Sequence, residues 1–221
     1  MTESEWLTCV KVTVPVMDWL RRQGGRRKFR LAGCAAVRHV WDAIDHPHAR
    51  ALVEMCEEVA DGLLEAQRLQ RPANAIERDL GVDLLSTRAQ AATRAALYLA
   101  MPADYQAGYS AMAEAAQVGK RADQWSWQCR LLRDIFSNPF RPASIQQAWL
   151  TWKDGTIPNL ARAAYDKREL PGGDFDASKL AILADALEEA GCASEEMLGH
   201  LRGPGPHVRG CWAVDLLLGK N

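Results

Sequence analysis

Leu31-Ala32-Gly33-Cys34-Ala35-Ala36-Val37-Arg38-His39-Val40-Trp41-Asp42-Ala43-Ile44 sets Leu31, Cys34, Ala35, Val37, Val40, Trp41 and Ile44 at steps of three and four. That period lays one apolar stripe along a helix and predicts a helix from Arg27 to Ile44 with one face on a core. Asp45-His46-Pro47 ends it, because a proline ring removes an amide donor and clashes with the preceding turn. Pro47 fits the first turn of a second helix, predicted to carry Leu52, Val53, Met55, Cys56, Val59, Leu63 and Leu64 and to reach Arg71-Pro72. The two helices should form a hairpin.

Upstream, Thr2 and Glu5 have the spacing of a capping box, and a helix from Val14 to Arg22 stops at Gly24-Gly25. Downstream, helices are expected from Ser86, as N-cap, through Met101, and from Ala103 to Val118. Gly119-Lys120-Arg121 is the expected lobe boundary, followed by a helix carrying Trp125, Gln128, Cys129, Leu132, Ile135 and Phe136. Ser137-Asn138-Pro139-Phe140-Arg141-Pro142 must be irregular. Further helices are predicted from Ile157 to Lys167, Ala177 to Ala190, Ser194 to Leu201 and Val208 to Leu218. No segment shows sustained period-two alternation with flanking hairpin turns, so the fold class is all-α, a compact multi-helix bundle forming a single domain over 1–221 with two closely packed lobes as a variant.

Leu131-Leu132-Arg133-Asp134-Ile135-Phe136-Ser137-Asn138-Pro139-Phe140-Arg141-Pro142, the stretch Ala181-Ile182-Leu183-Ala184-Asp185-Ala186-Leu187-Glu188-Glu189-Ala190-Gly191-Cys192, and His200-Leu201-Arg202-Gly203-Pro204-Gly205-Pro206-His207-Val208-Arg209-Gly210-Cys211-Trp212 resemble a family of small uncharacterised planctomycete bacterial proteins. Glu5-Trp6-Leu7 and Arg27-Lys28-Phe29-Arg30-Leu31 resemble the start of the same family. The resemblance implies bacterial membership and carries no activity, substrate or fold with it. Where that family often has several cysteines after the basic run, this chain has Cys34-Ala35-Ala36-Val37.

With 48% hydrophobic and 25% charged residues the chain is an ordinary globular one, and 27 Lys+Arg against 28 Asp+Glu argues against global electrostatic capture by nucleic acid or an anionic membrane. Acids near Met1 and the lack of an apolar run of about 18 residues predict a cytoplasmic protein without a membrane partner. Six cysteines stand singly, so reduced core thiols are expected rather than a disulfide framework.

Cys192, His200, His207 and Cys211 are residue types that ligate zinc, with His207 and Cys211 four apart on what reads as one helix, although the spacing matches no known finger. Arg202, His207 and Arg209 surround a Gly/Pro turn before a helix N-terminus, the setting of an anion or ligand site, with a rigid connector as the plainer reading. A nucleophilic set of Cys211, His207 and Asp215 shares one face at four-residue steps, as any such series does. Arg21, Arg22, Arg26, Arg27, Lys28 and Arg30 form the one dense basic run, a candidate for phosphate contact in nucleic acid. Trp149-Leu150-Thr151-Trp152 could edge a partner surface, although the tryptophans at apolar helical positions belong first to the core. The preferred expectation is a non-enzymatic helical protein-interaction module without a cofactor. The alternatives are a metal- or anion-dependent enzyme built on the C-terminal Gly/Pro/His segment, with zinc as its metal, and a nucleic-acid contact through 21–30.

Overall fold

The computed structural model of the chain describes residues 1–80 and 87–220. Its described residues are mainly helical, with one isolated antiparallel bridge between Glu169 and Asp174, and they divide into two compact units, Met1–Cys129 and Arg130–Asn221. The first unit holds α1 (Glu3–Leu7), α2 (Val14–Arg22), α3 (Arg26–Arg38), α4 (Pro47–Ala60), α5 (Gln70–Leu80), α6 (Thr87–Tyr98), α7 (Asp104–Ala115) and most of α8 (Arg121–Phe136). The capping box is present as read, the Thr2 hydroxyl accepting from the Glu5 amide and the Glu5 carboxylate accepting from the Thr2 amide. Ser86, the expected cap of α6, lies outside the described residues.

α3 is the axis of this unit and packs against α4 and α7. The approach to α7 is backbone to backbone: a Cβ on Gly33 would lie 2.9 Å from Gly108 Cα, and a Cβ on Gly108 would run into the Phe29 carbonyl. Such contact needs two glycines, because any side chain would hold the helices apart. Around it, Arg30, only 2% exposed, donates to Asp104 Oδ1 at 2.7 Å and to the Leu99 and Met101 carbonyls, which closes the last turn of the α6 segment onto α3. Arg38 makes a two-pronged pair with Glu57 at 2.6 and 3.0 Å, also buried, joining α3 to α4.

Two helices of the first unit end well short of their expected positions. α3 stops at Arg38, and Trp41–Ala43 is a separate 3₁₀ turn. The helix expected from Pro47 to Arg71 stops at Ala60, because Gly62 takes φ +72 and reverses the chain; a 3₁₀ turn at Ala66–Leu69 then leads into α5, where Pro72 occupies the first turn. Gly119-Lys120-Arg121, read as a lobe boundary, is the entry to α8, and the two units divide farther along that helix.

The second unit takes the end of α8, then α9 (Gln147–Thr151), α10 (Thr156–Asp166), α11 (Ala177–Glu189), α12 (Glu195–Leu201) and α13 (Trp212–Leu218). α10 packs on α11 and α13, and α11 on α12. Trp149, Ile157, Leu180, Leu183, Leu187 and Val214 are among the residues of its core. α9 was not foreseen; its Trp149 is a core residue, 4% exposed, rather than the edge of a partner surface. α13 begins at Trp212 instead of Val208, because Gly210 adopts φ +96 and no helix can pass through that conformation. Among the described residues no helix is long and apolar enough to cross a membrane.

Candidate metal centre

Three segments of the second unit meet at one point. The last turns of α8 bury Leu131, Leu132, Ile135 and Phe136, and this apolar anchoring draws Asp134 in with them until it is 2% exposed. α12 starts at Ser194, whose hydroxyl caps the Met197 amide, with Glu195 and Glu196 favourably placed in its first turn. Met197, Leu198 and Leu201 turn its apolar side to the core, which leaves His200 at the edge, with 19% of its side chain exposed. The chain then reverses through Gly203-Pro204-Gly205-Pro206 and returns with His207 buried and its carbonyl accepting from the Phe175 amide at 2.7 Å. A further turn at Gly210 delivers Cys211, fully buried, as the residue preceding α13.

The polar atoms of Asp134, His200, His207 and Cys211 all lie within 4.8 Å of one another. Asp134 Oδ1 is 3.1 Å from His200 Nε2 and 3.1 Å from His207 Nδ1. His200 Nε2 is also 3.3 Å from Cys211 Sγ. The outer atoms of the same groups are held by backbone: Asp134 Oδ2 accepts from the Val208 amide at 3.2 Å, and His207 Nε2 donates to the Gly203 carbonyl at 3.2 Å. The two imidazoles stand perpendicular, and the Trp212 ring flanks His200 with centroids 5.0 Å apart.

This pattern separates a relay from a ligand set. A nucleophilic triad uses both imidazole nitrogens, one toward the thiol and one toward the carboxylate. Here a single nitrogen of His200 faces both Asp134 and Cys211, and two imidazole nitrogens converge on one carboxylate oxygen. A tetrahedral zinc ion with bonds of about 2.0–2.3 Å sets its ligand atoms on the order of 3.3–3.6 Å apart; three of the separations here are 3.1–3.3 Å, and the whole set lies within 4.8 Å. Gly203 O can only accept, so His207 Nε2 carries a proton; the protonated ring donates from Nδ1 to Asp134, and loss of that second proton would turn the Nδ1 lone pair into the cluster.

The electrostatics carry the same asymmetry. Burial pushes the Asp134 carboxyl up, but hydrogen bonds from His200 and His207 prevail and hold it below the usual carboxylate range. Burial lowers the His207 imidazole, while its bond to Asp134 and that carboxylate's charge outweigh it and raise it. Burial, followed by the charge of Asp134, pushes the Cys211 thiol well above its ordinary range. Cys211 is therefore no activated nucleophile on its own. Two anionic ligands, two neutral imidazoles and one divalent cation would sum to zero charge, the cheapest state for a buried group.

The residues named from sequence divide clearly. His200, His207 and Cys211 are brought together, whereas Cys192 packs in the hydrophobic core of the unit, 3% exposed and outside the cluster. His207 and Cys211 do not share a helix face; both precede α13 and are placed by the turn at Gly210. Asp134 takes the fourth place, and its signal was an acid set between apolar residues in Leu131-Leu132-Arg133-Asp134-Ile135-Phe136. Asp215, 1% exposed, is buried but not part of the cluster.

The anion set is dispersed as well: Arg202 bonds Asp185 and Glu188 at 2.6 Å on the surface, and the Arg209 guanidinium lies 5.2 Å from the Tyr165 ring centroid. In their place, Arg130 and Arg133 join Asp134, His200 and His207 around a cavity of about 280 Å³. In the first unit the basic run is split. Arg30 is interior, Arg27 is paired with Asp61 at 2.9 Å, Lys28 is half-buried, and Arg21, Arg22 and Arg26 remain exposed. Compared with family models, with curated proteins and with solved structures, the chain finds no match.

Proposed function

We propose that the chain is a zinc-binding helical protein whose metal is held by Asp134 Oδ1, His200 Nε2, His207 Nδ1 and Cys211 Sγ. The observation that carries this reading is the convergence of both histidines on a single oxygen of a buried carboxylate, with a thiol 3.3 Å from one of them. Thiolate and imidazole favour zinc over the harder cations, and four protein donors fill its tetrahedral shell, the arrangement of a structural site. The metal then ties the end of α8, α12 and the turn before α13 into one piece, which agrees with a non-enzymatic module rather than a hydrolase. A thiolate ligand also needs reducing surroundings, in keeping with a cytoplasmic protein. The stretch that carries the planctomycete resemblance supplies His200, His207 and Cys211, so metal binding is proposed as a property of that segment.

Metal content of the untagged, purified protein by inductively coupled plasma mass spectrometry tests it. Near-stoichiometric zinc is expected in the native chain and in Cys192→Ala, with loss in Cys211→Ser and Asp134→Asn. Metal-free native protein, or metal lost in Cys192→Ala but kept in Cys211→Ser, defeats the reading.

A second reading rests on the cavity. Arg130 and Arg133 beside three of the four donors make a cationic mouth for a small oxyanion next to the metal. Inorganic phosphate should then tighten zinc binding in the native protein and not in Arg130→Ala/Arg133→Ala; equal effects in both remove it.

A further inference from the structure

Cys9 and Cys129 form a close thiol pair. Their sulfurs are 3.0 Å apart, closer than the roughly 3.5–4.0 Å of ordinary non-bonded carbon contacts. The Cys9 thiol donates to the Lys11 carbonyl at 3.2 Å, while Lys11 Nζ sits 4.4 Å from the centroid of the Trp125 ring. Trp125 and Cys129 are one turn apart on α8, and Cys9 and Lys11 are alternate residues of the segment after α1. The segment therefore runs along one face of α8 with two registered contacts, one of which holds the sulfurs against each other.

Access differs as sharply. Cys129 is 2% exposed and Cys9 is partly exposed, whereas Cys34, Cys56, Cys192 and Cys211 are all buried. Cys34 and Cys56 also direct their thiols at the Val53 and Leu99 carbonyls. A reagent from solvent thus has one entry point with one sulfur behind it.

We infer that Cys9 and Cys129 form a thiol modification site that closes to a disulfide in exchange with a small disulfide of the oxidised-glutathione class. The Cys9 thiolate attacks one sulfur of the reagent, forming a mixed disulfide and releasing one small thiol. Cys129 loses its proton and attacks the Cys9 sulfur, forming the Cys9–Cys129 bond and expelling the second small thiol. Two protein thiols are oxidised and one small disulfide is reduced to two thiols, so atoms and electrons balance. The product staples the segment after α1 to α8, independently of the metal centre.

The reduced full-length protein, incubated with oxidised glutathione and digested under non-reducing conditions, gives the answer by mass spectrometry. The expected product is a Cys9–Cys129 cross-linked peptide, with intact mass lower by two hydrogens and a raised Tm reversed by dithiothreitol. Cys129→Ser should stop at glutathione on Cys9. Cys9→Ser, which removes only the partly exposed sulfur, should take up no glutathione at Cys129. A stable glutathione adduct on Cys9 in the native protein, a cross-link from Cys9 to another cysteine, or no oxidation of either residue would overturn the inference.

Discussion

His207 Nδ1 and Asp134 Oδ1 lie 3.1 Å apart across 73 residues of chain, while the opposite nitrogen of the same ring is fixed on the Gly203 carbonyl. Without metal, a proton between Asp134 and His207 does a cation's work, and this sets a pH dependence. The raised His207 pKa contributes stability fully present below the unfolded value of about 6.5 and lost as pH rises through the native value. The lowered Asp134 pKa contributes stability present above about 3.9 and lost as pH falls through its native value. Chelator-treated protein should therefore melt at falling temperature as pH climbs past His207's native pKa. Bound zinc should reverse that limb, because acid would then compete with the cation for His207 and Cys211. Melts with and without chelator over roughly pH 5 to 8 decide it; curves that run parallel would contradict a proton and a metal sharing one place.

Cobalt(II) offers a spectroscopic view of the same atoms, since it takes tetrahedral N/O/S sites and reports a bound thiolate by charge-transfer absorption in the near ultraviolet. The band should appear on titration of the native protein, persist in Cys192→Ala and vanish in Cys211→Ser. A band that survives Cys211→Ser places the thiolate elsewhere and breaks the assignment.

The buried guanidiniums of the first unit make the nucleic-acid expectation testable through stability. Arg38 faces Glu57 with both side chains almost fully buried, and Arg30 satisfies Asp104 and two carbonyls. Removing one partner leaves an uncompensated buried charge, so Arg38→Met should cost about 3–5 kcal/mol in urea denaturation. Arg38→Met with Glu57→Leu should cost much less than Arg38→Met alone. Arg22→Ala and Arg26→Ala, on exposed side chains, should stay within about 0.5 kcal/mol. A cost for Arg22→Ala as large as that for Arg38→Met would mean that the exposed end of the run is structural too.

Much of the helical framework was legible because it rests on local physics. The Thr2/Glu5 capping box, the α2 span and the Ser194 cap each depend on residues within one turn. The misreadings came where backbone conformation overrode side-chain pattern. Leu63 and Leu64 continue the apolar period of α4, yet Gly62 with its positive φ ends the helix before them. Gly210 likewise detaches His207 from α13, so His207 and Cys211 come together through a turn rather than along one helix face. Local sequence marks Asp134 only as an acid between apolar residues, since nothing within a turn of it announces histidines 66 and 73 residues away. Cys192 was favoured over it because chain proximity stood in for spatial proximity.

The two kinds of helical glycine in this chain should respond oppositely to alanine. Gly108 is where α7 touches α3: a methyl there meets the Phe29 carbonyl and backbone, which cannot rotate away as a side-chain tip can. Gly108→Ala must push the two helices apart, and with them the Arg30 network beside the crossing. Overpacking of this kind costs about 1–3 kcal/mol or more. Gly199 is inside α12 with nothing within 4 Å of the added methyl. Gly199→Ala should raise stability by about 0.5–1 kcal/mol through lower backbone entropy of the unfolded chain. It also stiffens the helix that presents His200, so zinc affinity should hold or improve. Urea denaturation of the two variants beside the native protein reads both signs in one experiment. Equal effects at Gly108 and Gly199 would mean that the α3–α7 approach is looser than 2.9 Å implies.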